Sequence, residues 1–267
     1  MIAAVVQLTS TSDLEANLAR AGELVELAAG RGAELVALPE NFALMREEGA
    51  RGENPHAQEL PGGRVPRFLA ELAARHRIVL AGGTFPERIA GDGRVFNTST
   101  VYGPDGELLG VYRKIHLFDV DLPGATHRES SRVAAGSELV VAKTEACTLG
   151  LSVCYDVRFP ELYRVLADRG AQLLLVPSAF TVPTGRDHWE VLLRARAIEN
   201  QCFVVASAQF GEHGATRRTY GRSMIVDPWG TVLCTAPDGE GVATAELDFA
   251  RQTEVRQRLP ALRHRRL

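Results

Sequence analysis

Apolar runs in this chain alternate between strand length and helical spacing, and their order outlines the architecture. IAAVVQL, residues 2–8, reads as a buried strand. Leu14, Leu18, Ala21, Val25 and Ala28 then recur at the spacing of a helix face. Ser12 and Glu15 make an S-x-x-E capping box for that helix, and Gly30 and Gly32 close it. ELVAL, residues 34–38, is a second strand, stopped by Pro39. The plan returns later: CTLGLSV (147–153) is a strand, Pro160 opens a helix reaching about Arg169, Gly170 ends it, and QLLLV is a strand stopped by Pro177. The two halves share this plan without sharing sequence. That suggests two similar sheets, each with helices on one face.

More strands lie between and after these units. IVLAGGTF (78–85) reads as one strand, and VFNTSTVY and ELLGVYR flank the hairpin turn Gly103-Pro104-Asp105-Gly106. A helix follows Asp187 through HWEVLLRARAIEN, with Glu190 completing a D-x-x-E cap. CFVVASA, SMIVD, TVLCTA and GVATAEL read as strands, Asp227-Pro228-Trp229-Gly230 turns between two of them, and a last helix begins near Asp248. No Gly/Ser linker or low-complexity segment divides the chain, so residues 1–267 read as one α/β domain.

Composition narrows the function. A net charge of −3 leaves no basic footprint for nucleic acid. The basic RHRR at 263–266 reads as a solvated end or a subunit contact. No apolar run approaches the roughly 18 residues of a membrane span. Four cysteines without a C-x-x-C pair do not make a disulfide framework, and the N-terminus lacks the charged start of a signal peptide, so the expected location is cytoplasmic. Of 30 basic residues only Lys114 and Lys143 are lysines. Where arginine is favoured so strongly, a surviving lysine points to a site that needs a compact ammonium.

Three strands end in ionisable groups, where open α/β sheets collect their reactive residues. Glu40 follows ELVAL-Pro39, Lys114 follows ELLGVYR, and Cys154 ends GLSV. A thiol becomes a nucleophile when a carboxylate takes its proton. An ammonium and the backbone N–H of Tyr155 can hold the oxyanion formed by attack on a carbonyl, and the same carboxylic acid can protonate a leaving amine. Each residue also has a plainer reading. Glu40 could solvate a loop, Lys114 could pair with Asp119 or Asp121, Glu129 could be a surface glutamate, and Arg158 could pair with Glu161. Cys147, Cys202 and Cys234 read as core residues. Ser152 is a poor nucleophile, because Cys154 stands where a G-x-S-x-G elbow needs its second glycine. A Cys–His hydrolase using His116 or His188 stays open. No H-E-x-x-H, P-loop or G-x-G-x-x-G is present, so neither a metal nor a nucleotide cofactor is expected.

Taken together, LPENF (Glu40), YRKIHLFDVDLPG (Lys114), CYDVRFPELYR (Cys154), PSAFTVPTGRDHWEVLLRARAIENQ and GRSMIVDPWG resemble the nitrilase superfamily of carbon–nitrogen hydrolases, in its Nit branch, over nearly the whole chain. The resemblance implies a four-layer α-β-β-α sandwich assembling into homodimers or larger homo-oligomers. It implies catalytic Glu40, Lys114 and Cys154, with Glu129 as a second glutamate beside them. It also implies substrate contacts from Tyr155, Arg158, Ser178 and Phe180. Arg222 stands where some relatives carry His. The implied activity is hydrolysis of a small anionic 2-oxo acid amide through a cysteine thioester. Deaminated glutathione is the leading substrate and 2-oxoglutaramate the rival, and a non-catalytic scaffold role is the alternative of a different class.

Overall fold

The computed structural model describes residues 1–46, 52–122, 125–215 and 217–266; Pro123 and Gly124 of the lysine motif and the terminal Leu267 lie outside them. The first half contains β1 (Ile2–Gln7), α1 (Leu14–Gly30), β2 (Leu35–Ala37), α2 (Arg64–His76), β3 (Val79–Ala81), β4 (Phe85–Arg88), β5 (Val95–Tyr102), β6 (Leu108–Arg113), β7 (Asp119–Leu122), β8 (Ala125–Arg128) and β9 (Val133–Ala134). The second contains β10 (Val141–Lys143), β11 (Thr148–Leu151), α3 (Pro160–Asp168), β12 (Leu173–Leu175), α4 (Val182–Asn200), β13 (Phe203–Ala206), β14 (Phe210–His213), β15 (Arg217–Tyr220), β16 (Met224–Val226), β17 (Val232–Thr235), β18 (Gly241–Glu246) and α5 (Phe249–Arg258).

One sheet runs β18-β1-β2-β3-β5-β4, with β6 and β9 also paired to β5; the other runs β10-β11-β12-β13-β16-β17. Strands β1, β2 and β3 are parallel, as are β11, β12 and β13. Alternation along the strands explains the layering. Ala3, Val5, Leu35, Ala37, Val79 and Ala81 face the core between the sheets, whereas Ala4, Val6, Val36, Leu38 and Leu80 face a second core under α1 and α2. Helices α3 and α4 cover the outer face of the second sheet. The result is the α-β-β-α sandwich implied by the resemblance.

Several local expectations are corrected. Asp13, not Ser12, caps α1, with its side chain accepting from the Ala16 N–H at 3.0 Å. Helix α4 starts at Val182, before Asp187, because Pro183 suits a first helical turn; Glu190 pairs with Arg194 on its surface instead of capping. IVLAGGTF divides into β3 and β4. Gly83 breaks it at φ +53°, where a Cβ would collide with the Pro39 carbonyl. Helix α2 and the hairpins β7–β8 and β14–β15 add to the elements expected from the pattern. The cap of α5 is the expected Asp248, accepting from the Arg251 N–H.

Candidate active site

Each candidate is delivered by the end of a strand and then locked by its neighbours. At the end of β6, Arg113 and Lys114 point to opposite faces. Arg113 forms a two-pronged ion pair with Glu87, at 2.7 and 2.6 Å, on one side. Lys114 turns inward, almost fully buried, with its Nζ 2.9 Å from Glu40 Oε1 and 2.9 Å from Glu129 Oε2. The surface pairing of Lys114 with Asp119 or Asp121 does not form, because the ammonium is taken up by the buried Glu40 and the half-buried Glu129. Burial acts to lower the Lys114 pKa, but Glu129 and Glu40 outweigh it and hold the ammonium well above its ordinary range.

Glu40 sits in a turn that is held from three directions. The Leu38 N–H donates to Ala81 O, the Asn41 N–H donates to Thr84 Oγ1, and Gln209 Nε2 donates to Glu40 O. Glu129 leads a short 3₁₀ turn after β8 and accepts the Phe118 N–H at 2.7 Å. Asn97 in β5 donates from Nδ2 to Glu40 Oε1 at 2.9 Å, with Glu129 Oε1 at 3.5 Å. Asn97 lay hidden in an ordinary strand pattern; its one signal was an amide among apolar and hydroxyl residues. Its buried Oδ1 has no partner among the described residues.

Cys154 follows β11 with φ 48°, a left-handed conformation that costs a non-glycine residue roughly 1–3 kcal/mol. Its N–H donates to Pro177 O and that of Asp156 to Val153 O, which leaves the Tyr155 N–H at the open start of the turn. Asp156, fully buried, accepts from Tyr112 OH at 2.7 Å, the Val153 N–H at 2.8 Å and the His116 N–H at 3.1 Å. This one carboxylate ties the lysine-bearing segment to the cysteine-bearing turn.

The thiol rests protonated. Burial and the Glu40 charge push its pKa up, while the Lys114 ammonium and a hydrogen bond from the Ala179 backbone pull it only part of the way back. Lys114 favours the thiolate, but its charge is shared between two carboxylates and does not offset burial and Glu40. Glu40, whose charge acts on the sulfur and which lines the same cavity, is a carboxylate placed to accept that proton.

A cavity of about 310 Å³ opens beside this cluster. Glu40, Asn97, Lys114, Glu129, Cys154, Tyr155, Arg158 and Phe180 line it, as do Arg46, Arg128, Arg132 and Arg217. Ser178 does not: it is fully buried, its N–H donates to Ser207 O and its hydroxyl to Val176 O. Arg158 makes no ion pair with Glu161. It lies over the Tyr155 and Phe180 rings, with His188 Nδ1 at 3.3 Å. Arg222 is outside the cavity lining, paired with Asp238. The histidines do not serve the thiol. His116 Nδ1 is 2.7 Å from Asp156 Oδ1 and its ring stacks on Phe159, while His188 is exposed on α4. Ser152 Oγ is occupied by Tyr163 OH and Leu175 O. Among the described residues no group of three or more His, Cys, Asp or Glu side chains is arranged to hold a metal ion.

Two expected outcomes follow from this geometry. All four thiols are pushed upward, Cys147, Cys202 and Cys234 to about 11, and Cys234 is the most exposed. Exposure alone would make Cys234 label first; a built-in base reverses the order. Brief iodoacetamide treatment and peptide mapping should find Cys154 alkylated ahead of the others, and first labelling at Cys234 would deny it the nucleophile's role. Second, Glu129→Gln keeps acceptor atoms for Lys114 and the Phe118 N–H but removes a charge. Turnover should fall while a measurable rate of acylation survives in single-turnover assays; wild-type rates would leave Glu129 without a part in the reaction.

The pattern of the carbon-nitrogen hydrolase family matches residues 2–257. The deaminated glutathione amidase of Synechocystis sp. (strain PCC 6803) is 47% identical over 99% of this chain and 97% of its own. Omega-amidase NIT2 of Mus musculus is 41% identical over 98% of this chain and 94% of its own. Among solved structures, Saccharomyces cerevisiae Nit3, a member of branch 10 of the nitrilase superfamily, superposes with a TM-score of 0.88 at 34% identity, over 100% of this chain and 97% of that one. The chain therefore belongs to the carbon–nitrogen hydrolase (nitrilase) family, in its Nit branch, and is a hydrolase of carbon–nitrogen bonds other than peptide bonds.

Proposed function

We propose that the protein hydrolyses a small anionic 2-oxo acid amide through a thioester on Cys154, with deaminated glutathione as substrate and 2-oxoglutarate and cysteinylglycine as products. The observation that carries the chemistry is the buried Glu40–Lys114–Glu129 cluster against Cys154, at the base of a cavity rich in arginine. Glu40 takes the thiol proton as Sγ attacks the amide carbon. Lys114 Nζ and the Tyr155 N–H hold the oxyanion. Glu40 then gives its proton to the departing nitrogen, and the C–N bond breaks. In the second half, Glu40 takes a proton from water, the hydroxide adds to the thioester, and the C–S bond breaks with the proton returned to sulfur. Water is consumed, and the acid and amine are released.

Arg158 grips the 2-oxo acid carboxylate. Its placement over Tyr155, on the same turn as Cys154, and its lack of an acidic partner among the described residues support that role. The rival reading, an omega-amidase acting on 2-oxoglutaramate, is favoured by the 41% identity to mouse NIT2. The ratio of kcat/KM on the two amides decides between them: the proposal expects the larger value on deaminated glutathione. No thioester and no turnover with either amide would sink both readings and favour a scaffold.

Residues 1–267 act as one domain, since one core takes residues from both sheets. Self-association into a homodimer or larger homo-oligomer is supported by exposed Val191 and Ile198, seven residues apart on α4, beside exposed Trp229 in the turn that packs on Ile198. A cytoplasmic location is supported by four unpaired cysteines. Among the described residues no helix is long and apolar enough to cross a membrane. Light scattering and cell fractionation test the assembly and the location.

A further inference from the structure

The arginines around the cavity are not equivalent. Arg128 is held by both oxygens of Asp121, at 2.9 Å each, and Arg46 by the carbonyls of Gly52 and Glu53. Arg217, at the start of β15, is half-buried and lines the cavity, yet its side chain has no hydrogen bond or ion pair to any described residue. A guanidinium partly withdrawn from water and left without an acidic partner is a ready receptor for a carboxylate. Arg158 also lines the cavity with no carboxylate beside it among the described residues, but it belongs to the turn that carries Cys154. Arg217 reaches the same cavity from a separate hairpin, docked on the start of α4 through the bridge between Thr181 and Thr219. Thr181 and Thr184 line the same cavity.

Two receptors on independent elements suit a substrate with a carboxylate at each end. We propose that Arg217 is a specificity-determining residue that binds the carboxylate carried by the amine half of the substrate, while Arg158 takes the carboxylate of the acyl half. This rests on the proposed function, and it gives a reason why the site would prefer an amide of an anionic peptide to a primary amide. 2-Oxoglutaramate releases only ammonia and offers Arg217 nothing, whereas deaminated glutathione presents a terminal carboxylate on its leaving group. The contact would persist from ground state to transition state, so its loss belongs mainly in KM.

The test is steady-state kinetics of the wild type and Arg217→Gln on deaminated glutathione, on the same compound with its terminal carboxylate amidated, and on 2-oxoglutaramate. For Arg217→Gln, kcat/KM on deaminated glutathione should fall about 10–100-fold, mostly through KM, the range of a charge-assisted hydrogen bond. The loss on 2-oxoglutaramate should be at least about tenfold smaller. Amidating the substrate should cost the wild type a similar factor and cost Arg217→Gln far less, the non-additivity of two partners in one contact. Arg217→Lys, which keeps the charge but not the fork, should recover part of the loss. Equal losses on both amides, or no loss on either, would overturn the role of Arg217 while leaving the amidase reading intact. Wild type inactive on both amides would overturn that reading, and the role of Arg217 with it. The amidated substrate needs no variant, so the proposal stays exposed to refutation even if Arg217→Gln folds poorly.

Discussion

Glu40→Gln is expected to lower turnover by roughly 10²–10⁴-fold or more, the share that a positioned proton acceptor and donor contributes. The shape of the site survives the change, since the amide oxygen can still accept from Lys114 and Asn97, which now donate at 2.9 Å each. The chemistry does not survive. The Cys154 thiol is buried and rests protonated, and the neutral amide of Glu40→Gln cannot take its proton. Mass spectrometry should find no acyl-enzyme accumulating on the variant. The histidines provide the contrast. His188→Ala removes an exposed ring that touches Arg158 and should cost little. His116→Ala takes one partner from the buried Asp156 carboxylate, so its cost should appear as stability, about 1–3 kcal/mol in a thermal melt, with acylation retained. A dead histidine variant beside an active Glu40→Gln would reverse the assignment of the base.

Lys114→Arg is expected to fail as a rescue, with kcat down by roughly 10²–10³-fold, the usual cost of losing one oxyanion donor. The ammonium has three donors. Nζ lies 2.9 Å from Glu40 Oε1, 2.9 Å from Glu129 Oε2 and 3.1 Å from Glu129 Oε1, so giving up the longest of these contacts frees one donor for an oxygen that becomes charged only during the reaction. A planar guanidinium is larger and fixes its N–H groups in a fork, so satisfying both carboxylates turns the remaining donors away from the small oxyanion. The defect should fall on kcat more than on KM. Lys114→Ala should in addition lose stability, about 3–5 kcal/mol, because it leaves the buried Glu40 carboxylate, with the half-buried Glu129 beside it, without their cation. Full activity in Lys114→Arg would mean that positive charge alone is required there.

Much of this site was legible in the linear chain, because its residues interrupt a pattern. Glu40, Lys114 and Cys154 each stop an apolar strand with an ionisable group, and parallel strands bring such ends to one edge. The layered α/β class was legible for a similar reason: strand-length runs alternate with helical spacing, and each must bury its apolar face. The starts of α1 and α4 were less so. Several capping-competent residues lie in a row near each, and only the backbone selects Asp13 over Ser12 or lets Pro183 open α4 ahead of Asp187.

Relations between residues far apart in sequence came only with folding. Asn97 and Glu40 are 57 positions apart, and neither interrupts the chain in a way that names the other. Glu129 read equally as a surface glutamate until folding placed it on Lys114, and nothing local marked Asp156 as the buried partner of Tyr112 and His116. Ser178, in a motif of the right kind, faces the backbone and not the cavity. The protonation of Cys154 is a property of desolvation and of charges delivered by other strands. The linear chain settles which chemical groups stand at strand ends, because that follows from local alternation and breaks in it. Which charges are neutralised and which way the thiol titrates depend on burial and on distances of about 3 Å, and only the packed sheets set those.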